Sequence, residues 1–233
     1  MNQTTPAPGR TVFLVDVDNT LLDNDRFGLD LSARLDKEFG RSGKDRYWAL
    51  YEDRRTRLGF ADYLGALEDF RAGQPAAPPL LQMSAYLLDY PFEQLLYTNS
   101  LAAIGRLRTL GAVVILSDGD VTFQPRKIQR SGIWQAVSGE VLICVHKQEV
   151  LEFVQRSCPA EHYVVIDDKP SLLGAMKLVM GRRLTTVWVR QGHYAREADG
   201  ALLRPAPDLV IDHIAALMDL DAKLFLSGAS KEP

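Results

Sequence analysis

Val12-Phe13-Leu14-Val15-Asp16-Val17-Asp18-Asn19-Thr20 is the stretch whose reading decides the fold. Its first four residues form a short aliphatic and aromatic run, the pattern of a parallel strand buried on both faces. Two carboxylates follow, two residues apart. In open α/β sheets ligands bind at the carboxyl ends of the strands. Two acids placed there repel each other unless a positive group lies between or beside them. The pair is therefore a candidate metal or acid/base site, although acidic turn residues after a strand are common without chemistry.

Downstream, the same pattern recurs. Leu101, Ile104, Leu107 and Leu110 have helical spacing, and Gly111 stops that helix. Val113 to Leu116 reads as a second buried strand, ending at Ser117-Asp118-Gly119. Arg126 to Gly132 reads as a short basic helix closed by glycine, and Val141 to Val145 as a third strand. Val150, Leu151 and Val154 mark another helix. Tyr163 to Ile166 is a strand ending at Asp167-Asp168, followed by a helix from Ser171 to about Met180. Thr185 to Val189 and Pro207 to Ile211 give two more strands, before a closing helix through Leu217. Strands alternating with helices predict a Rossmann-like α/β fold, a parallel sheet with helices on both faces.

The stretch from Leu22 to Leu95 breaks this rhythm and contains no convincing strand. Leu31, Leu35 and Phe39 make one amphipathic stripe, Trp48, Leu50 and Tyr51 belong to another, and Phe60, Tyr63, Leu64, Leu67 and Phe70 to a third. Pro75 to Pro79 is a break before the apolar run Leu80 to Leu88. Residues 22–95 are expected to be a helical insert, its aromatic stripes forming bundle core. The rest of the sheet domain would be residues 11–21 and 96–226, with frayed tails at 1–10 and 227–233.

At 233 residues the chain can bury one sizeable core, with or without a smaller appended domain. A net charge of −3 supplies no basic surplus for nucleic acid. The sequence shows neither a signal peptide nor a run of membrane-spanning length, so a cytoplasmic protein away from membranes is expected. Cys144 and Cys158 are too few for a disulfide framework and read as small apolar filler.

Four strand ends thus carry, in order, Asp16/Asp18, Ser117, Lys147 after an intervening segment, and Asp167/Asp168. A parallel sheet brings such ends to one edge. Carboxylates there would hold a hard cation, Mg²⁺ above all, through oxygen. A lysine and a hydroxyl would hold an anion beside it, which together make a phosphoryl-transfer set.

On these residues the chain resembles the haloacid dehalogenase (HAD) superfamily of hydrolases. The four motifs of that family are matched by Asp16-Val17-Asp18-Asn19-Thr20, Ser117-Asp118-Gly119, Lys147 and Asp167-Asp168. The interval of 101 residues from Asp16 to Ser117 resembles the family's helical cap, inserted at that point. The resemblance implies that Asp16 is the nucleophile, forming an aspartyl-phosphate. Asp18 would be general acid and then general base, with its carbonyl reaching the metal. Ser117 and the backbone N–H of Asp118, with Gly119 beside them, would hold the phosphoryl oxygens. Lys147 would neutralise nucleophile and phosphoryl group. Asp168 aligns as the direct Mg²⁺ ligand, with Asp167 ligating through water or helping to fix the geometry. Thr20 is expected to support the turn. Asp23, Asn24, Asp25 and Arg26 lie where caps of the family hinge, which puts Asn24 and Arg26 forward as substrate contacts. A further acid found in many relatives four residues beyond Asp168 is replaced here by Leu172.

Asp18 separates two reactions on physical grounds. Halide is a stable leaving group and needs no proton, whereas an alkoxide leaving a phosphate ester does. The dehalogenases of the superfamily lack this second aspartate. The expectation is a Mg²⁺-dependent phosphatase acting on a small phosphorylated metabolite, as monomer or homodimer. A phosphomutase, a haloacid dehalogenase and a non-catalytic ligand-binding relative are the rivals. Lys127 and His146 compete with Lys147 for the lysine role, but Lys147 has the spacing, 20 residues before Asp167. His193 in its loop, and Arg54, Arg55 and Arg57 in the insert, are secondary candidates for the site border.

Overall fold

The computed structural model describes residues 11–72, 78–198 and 204–229. Six parallel strands form one sheet: β1 (Thr11–Val15), β2 (Ala112–Asp118), β3 (Val141–Cys144), β4 (His162–Asp167), β5 (Leu184–Val189) and β6 (Leu209–Ile211). Their order is β3-β2-β1-β4-β5-β6. The chain winds outward from β1 to β3, then returns to start again at β4 on the other side. The order reverses between β1 and β4, and in such sheets the crevice at that reversal takes the ligand.

Alternation along β1 divides the core. Phe13, Val15 and Val17 pack on one face with Ile104, Leu107, Ile128 and Ile133. Val12 and Leu14 pack on the other with Leu151, Val154, Leu173 and Met176. The helices responsible are α4 (Ser100–Arg108), α5 (Phe123–Arg130) and α6 (Ile133–Ala136) on the first face, and α7 (Leu151–Ser157) and α8 (Pro170–Met180) on the second. A parallel sheet covered on both sides explains why the strands read as continuous apolar runs. Gly111, just past α4, passes so close to β1 that a Cβ there would lie 2.2 Å from the Thr11 carbonyl oxygen.

Between β1 and α4 lie α1 (Asn24–Leu58), α2 (Tyr63–Phe70) and α3 (Pro78–Asp89), and, among the described residues, no strand. The first two predicted stripes belong to this one α1, interrupted at Gly40, whose φ of 67° and ψ of 175° break the helical path. Glycine adopts such a backbone without the Cβ clash other residues meet. Asp23 caps the start of α1 by accepting from the Arg26 N–H, and Gly59 in the left-handed conformation ends it. Phe60 falls in the link before α2 and is outside the helix to which its spacing assigned it. Phe27 of α1 lies among Tyr63, Tyr90, Phe92 and Phe123, with ring centroids 5.0–5.8 Å away. Because Phe123 is on α5, the core of the insert runs without a break into the core on one face of the sheet.

Several boundaries differ from the sequence reading. Leu101 is 39 % exposed and contributes no core to α4. The closing helix is a 3-10 segment, Ile214–Met218, and a second one spans Ala222–Ala229. Residues 227–229, expected to be tail, belong to that second segment, whose Phe225 stacks edge-on against Phe13 at 5.4 Å. The expected tail at 1–10, the last residues 230–233 and residues 75–77 of the predicted proline break lie outside the described residues. Pro78 and Pro79 open α3, where a missing N–H is tolerated. Among the described residues, no helix is long and apolar enough to cross a membrane.

α9 (Gly192–Glu197) follows β5 and lies beside the start of the insert, where it completes the rim of the site.

Candidate functional site

Strand register brings the motifs together. Val15 pairs with Ile166, so the residues that follow, Asp16 and Asp167, lie side by side at the carboxyl edge of the sheet. Ser117 and Asp118 end β2 on the opposite flank, and Asp118 pairs with Cys144, three residues before Lys147.

The turn after β1 is built by its own side chains. The Val17 carbonyl accepts from the N–H groups of Thr20, Leu21 and Leu22. Asn19 sits at φ 59°, a conformation asparagine tolerates, and its Oδ1 accepts from the N–H groups of Asn24 at 3.0 Å and Asp25 at 3.1 Å. The turn carrying the two acids is thereby fastened to the first turn of α1. Thr20 Oγ1 donates to Asp16 Oδ2 at 2.9 Å. Thr20 therefore orients the acid directly, beyond the turn-supporting role expected of it.

Asp16, Asp167 and Asp168 are all buried, and one oxygen from each lies within 4.8 Å of the others. Lys147 Nζ donates to Asp16 Oδ1 at 2.5 Å and to Asp167 Oδ2 at 2.7 Å. Burial by itself would lower the Lys147 ammonium. The carboxylates of Asp16, Asp167 and Asp118 outweigh it and hold the group well above the ordinary lysine range. Lys147 opens a 3-10 turn, Lys147–Glu149, ahead of α7.

Asp168 is different. It is 0 % exposed, and among the described residues neither of its carboxylate oxygens has a hydrogen-bond partner. Burial first, and then the nearby Asp167 and Asp16, push its carboxyl up to about 9. Two orphaned buried oxygens beside two further carboxylates make an oxygen donor set that fits a hard divalent cation. Trp188 Nε1 donates to the Asp168 carbonyl at 3.1 Å and fixes the backbone there.

The Asp18 side chain stands apart from this acidic group. Its Oδ1 accepts from Lys127 Nζ at 2.8 Å, and its Oδ2 from Gln124 Nε2 at 3.1 Å. A metal role for Asp18 is thus left to its backbone carbonyl. Gln124 Nε2 also donates to Ser117 Oγ at 2.9 Å, which ties the serine to the second acid. Lys127, weighed in the sequence only as a rival to Lys147, serves Asp18, and Gln124 was missed. A signal existed: Phe123, Gln124, Lys127 and Ile128 form the buried face of an otherwise basic helix.

A cavity of about 650 Å³ opens beside Asp18 and Asp118, with Lys169 and His193 on the sheet side and Trp48, Tyr51 and Tyr63 of the insert opposite. Asn24 lines it. Arg26 does not; its guanidinium pairs with Asp30 at 3.2 Å and its side chain is 61 % exposed, which corrects the expected substrate contact. The Gly119 N–H donates to the Cys144 carbonyl at 3.0 Å, so that donor is not offered to a ligand. Asp118 Oδ1 accepts from the Lys147 N–H at 3.2 Å and steadies that turn. His193 Nδ1 lies 2.6 Å from Asp25 Oδ1, and Arg196 donates to Asp25 Oδ2 at 2.8 Å, fastening α9 to the insert. Of Arg54, Arg55 and Arg57, Arg55 lines the cavity, while Arg54 is spent on Asp62 and Asp69. Burial pushes the Cys144 thiol up to about 12, which keeps it protonated and unreactive.

No family model and no curated protein matches the chain. Solved structures do. A haloacid dehalogenase-like hydrolase from Burkholderia xenovorans LB400 is 49 % identical, with 93 % of this chain and 99 % of that one covered and a TM-score of 0.86. A HAD-hydrolase from Bacillus subtilis, YfnB, solved with bound magnesium, is 17 % identical over 92 % and 100 % of the two chains at a TM-score of 0.58. The L-2-haloacid dehalogenase of Xanthobacter autotrophicus is 16 % identical over 91 % and 98 %, at 0.56. The latter two share the fold.

Proposed function

The chain belongs to the haloacid dehalogenase-like hydrolases, and from that premise we propose that it is a Mg²⁺-dependent phosphatase of a small phosphorylated metabolite, acting through an aspartyl-phosphate on Asp16. The observation that carries this reading is the unpartnered, buried Asp168 carboxylate beside Asp16 and Asp167. Halide displacement by a carboxylate needs no cation. The second acid, Asp18, supports the same choice, because only the phosphoester requires a proton on its leaving oxygen.

Asp16, Asp167 and Asp168 would hold Mg²⁺, which when bound supplies positive charge to the phosphoryl oxygens. Asp16, oriented by Thr20 and Lys147, attacks phosphorus as the bond to the ester oxygen breaks. Asp18 gives its proton to that oxygen, then takes one from the water that attacks the aspartyl-phosphate, and inorganic phosphate leaves. Ser117 Oγ holds a phosphoryl oxygen, and Lys147 offsets charge on both nucleophile and phosphoryl group. The helical insert acts as a cap: with Trp48, Tyr51 and Tyr63 over the cavity it limits the substrate to small molecules and excludes bulk water.

The test is a panel of small phosphoesters and 2-haloacids, assayed with Mg²⁺ and with chelator. Phosphate release that needs Mg²⁺ is expected; halide release indifferent to chelator would overturn the reading. Interconversion of phosphorylated isomers without phosphate release would identify a mutase.

Asp168 adds a pH dependence. An ordinary aspartate loses its proton near pH ~4, whereas folded Asp168 keeps it to about 9. Between those values the folded protein binds a proton that the unfolded chain has released, so metal-free stability falls as pH rises. Cation binding displaces that proton. The rise in Tm caused by Mg²⁺ should therefore be larger at about pH 8 than at about pH 6. An equal or smaller rise at the higher pH, measured by calorimetry, would count against the assignment.

A further inference from the structure

Lys127 is 0 % exposed. Its ammonium donates to Asp18 Oδ1 at 2.8 Å and to Asn24 Oδ1 at 2.9 Å. Around the same nitrogen stand the rings of Phe27, Tyr63, Phe92 and Phe123, with centroids 5.5–5.9 Å away. Those rings come from α1, α2, the turn after α3, and α5. A methionine would fill an aromatic box of this kind without bringing a charge into it. Packing therefore does not account for the ammonium, and a buried ammonium persists where it is paired and hydrogen-bonded.

Its partners lie on the two sides of a junction. Asp18 belongs to the turn after β1, and Asn24 to the first turn of the helical insert. Gln124, one helical turn before Lys127, holds the other Asp18 oxygen and Ser117 Oγ. Both Asp18 oxygens are thus held from α5. Of the two donors, Lys127 is the one that also bonds Asn24, and its aromatic surround draws further on the insert through Phe27 and Tyr63.

We propose that Lys127 is a positioning residue, which sets the carboxylate of Asp18 and ties its placement, through Asn24, to the seating of the insert. This rests on Asp18 being the proton carrier of the reaction proposed above. On that basis a displaced insert withdraws Asn24 from the shared ammonium, and Asp18 loses its aim at the leaving oxygen. Proton transfer is then efficient when the insert is seated over substrate. Lys127 acts on turnover, and substrate binding passes it by, because it does not line the cavity.

Steady-state kinetics of Lys127→Met, Asn24→Ala and the double variant test the link, using whichever phosphoester the wild type hydrolyses. Lys127→Met should lower kcat by about 10- to 100-fold, with KM within about 3-fold of wild type. Asn24→Ala should lower kcat several-fold, and on the Lys127→Met background its further effect should stay below about 2-fold, since it acts through the lysine. A lysine that only stabilises the core would instead give losses that multiply and that track Tm. Asn24→Ala keeps the buried ion pair, so it reads the link even if Lys127→Met does not fold; an unchanged kcat in that variant would overturn the proposal. Crystal structures of wild type and Lys127→Met give a readout independent of turnover. Asp18 should leave its position or divide between rotamers in the variant, and an unmoved Asp18 would overturn the proposal. A wild type that hydrolyses no phosphoester, with Asp18 still displaced in Lys127→Met, would instead place the failure in the phosphatase reading and leave the positioning role standing.

Discussion

Asp16→Asn is expected to lower phosphoester turnover by at least ~10⁴-fold, the largest effect any single substitution here should have. The amide keeps the shape of the side chain: its oxygen can still accept from Lys147, and its NH2 can donate to Thr20 Oγ1, which turns from donor to acceptor. It has no anionic oxygen to attack phosphorus. The fold should survive. Asp16, Asp167 and Asp168 crowd three carboxyl groups within 4.8 Å, with Lys147 bonded to the first two. Removing one of them relieves like-charge repulsion, so the melting temperature without Mg²⁺ should be unchanged or higher. Loss of activity together with a large fall in Tm would mean that Asp16 holds the structure together, a different role from the one assigned.

Asp18→Asn should be the second largest, lowering turnover of an alkyl phosphate by about 10²- to 10⁴-fold, the range that general acid–base catalysis supplies. Its dependence on the leaving group is the informative part. With p-nitrophenyl phosphate the departing phenolate needs no proton, so the first step should survive in the variant. The second step still lacks its base, and the aspartyl-phosphate should accumulate. Rapid mixing should then show a burst of about one nitrophenolate per active site, followed by slow turnover. No burst, and an equal loss with both substrates, would remove Asp18 from proton transfer. The variant is structurally conservative: the side chain is 29 % exposed toward the cavity, and its amide oxygen can still accept from Lys127.

What the sequence made legible follows from how parallel sheets are built. Strands covered on both faces read as unbroken apolar runs, and β1, β2 and β4 are such runs with polar residues at their ends. Once they are neighbours, the pairing of Val15 with Ile166 carries Asp16 to Asp167 without further information. Lys147 was found by spacing, and its ammonium does bond both of those acids. The insert was legible as helices, though two of its stripes proved to be one helix broken at Gly40, because a glycine inside an amphipathic pattern does not announce its φ.

The misses share one cause, which is tertiary contact between segments distant in sequence. Arg26 sits in the right turn of α1, but faces Asp30 one turn on. Gly119 belongs to the second motif, yet its N–H extends the pairing with β3. Lys127 lies in a basic stretch that looks solvated until its i, i+4 relation to Phe123 is taken as a buried face. The orphaned oxygens of Asp168 have no counterpart in the letters at all. They exist because the neighbouring Asp167 takes the lysine.

The most direct measurement is an acid-quenched single turnover with enzyme in excess over a hydrolysed phosphoester, followed by peptide mapping. The peptide carrying Asp16 should bear a phosphoryl group that is absent in Asp16→Asn and absent when chelator replaces Mg²⁺. Full phosphate release with no phosphoryl group ever found on Asp16 would contradict the account.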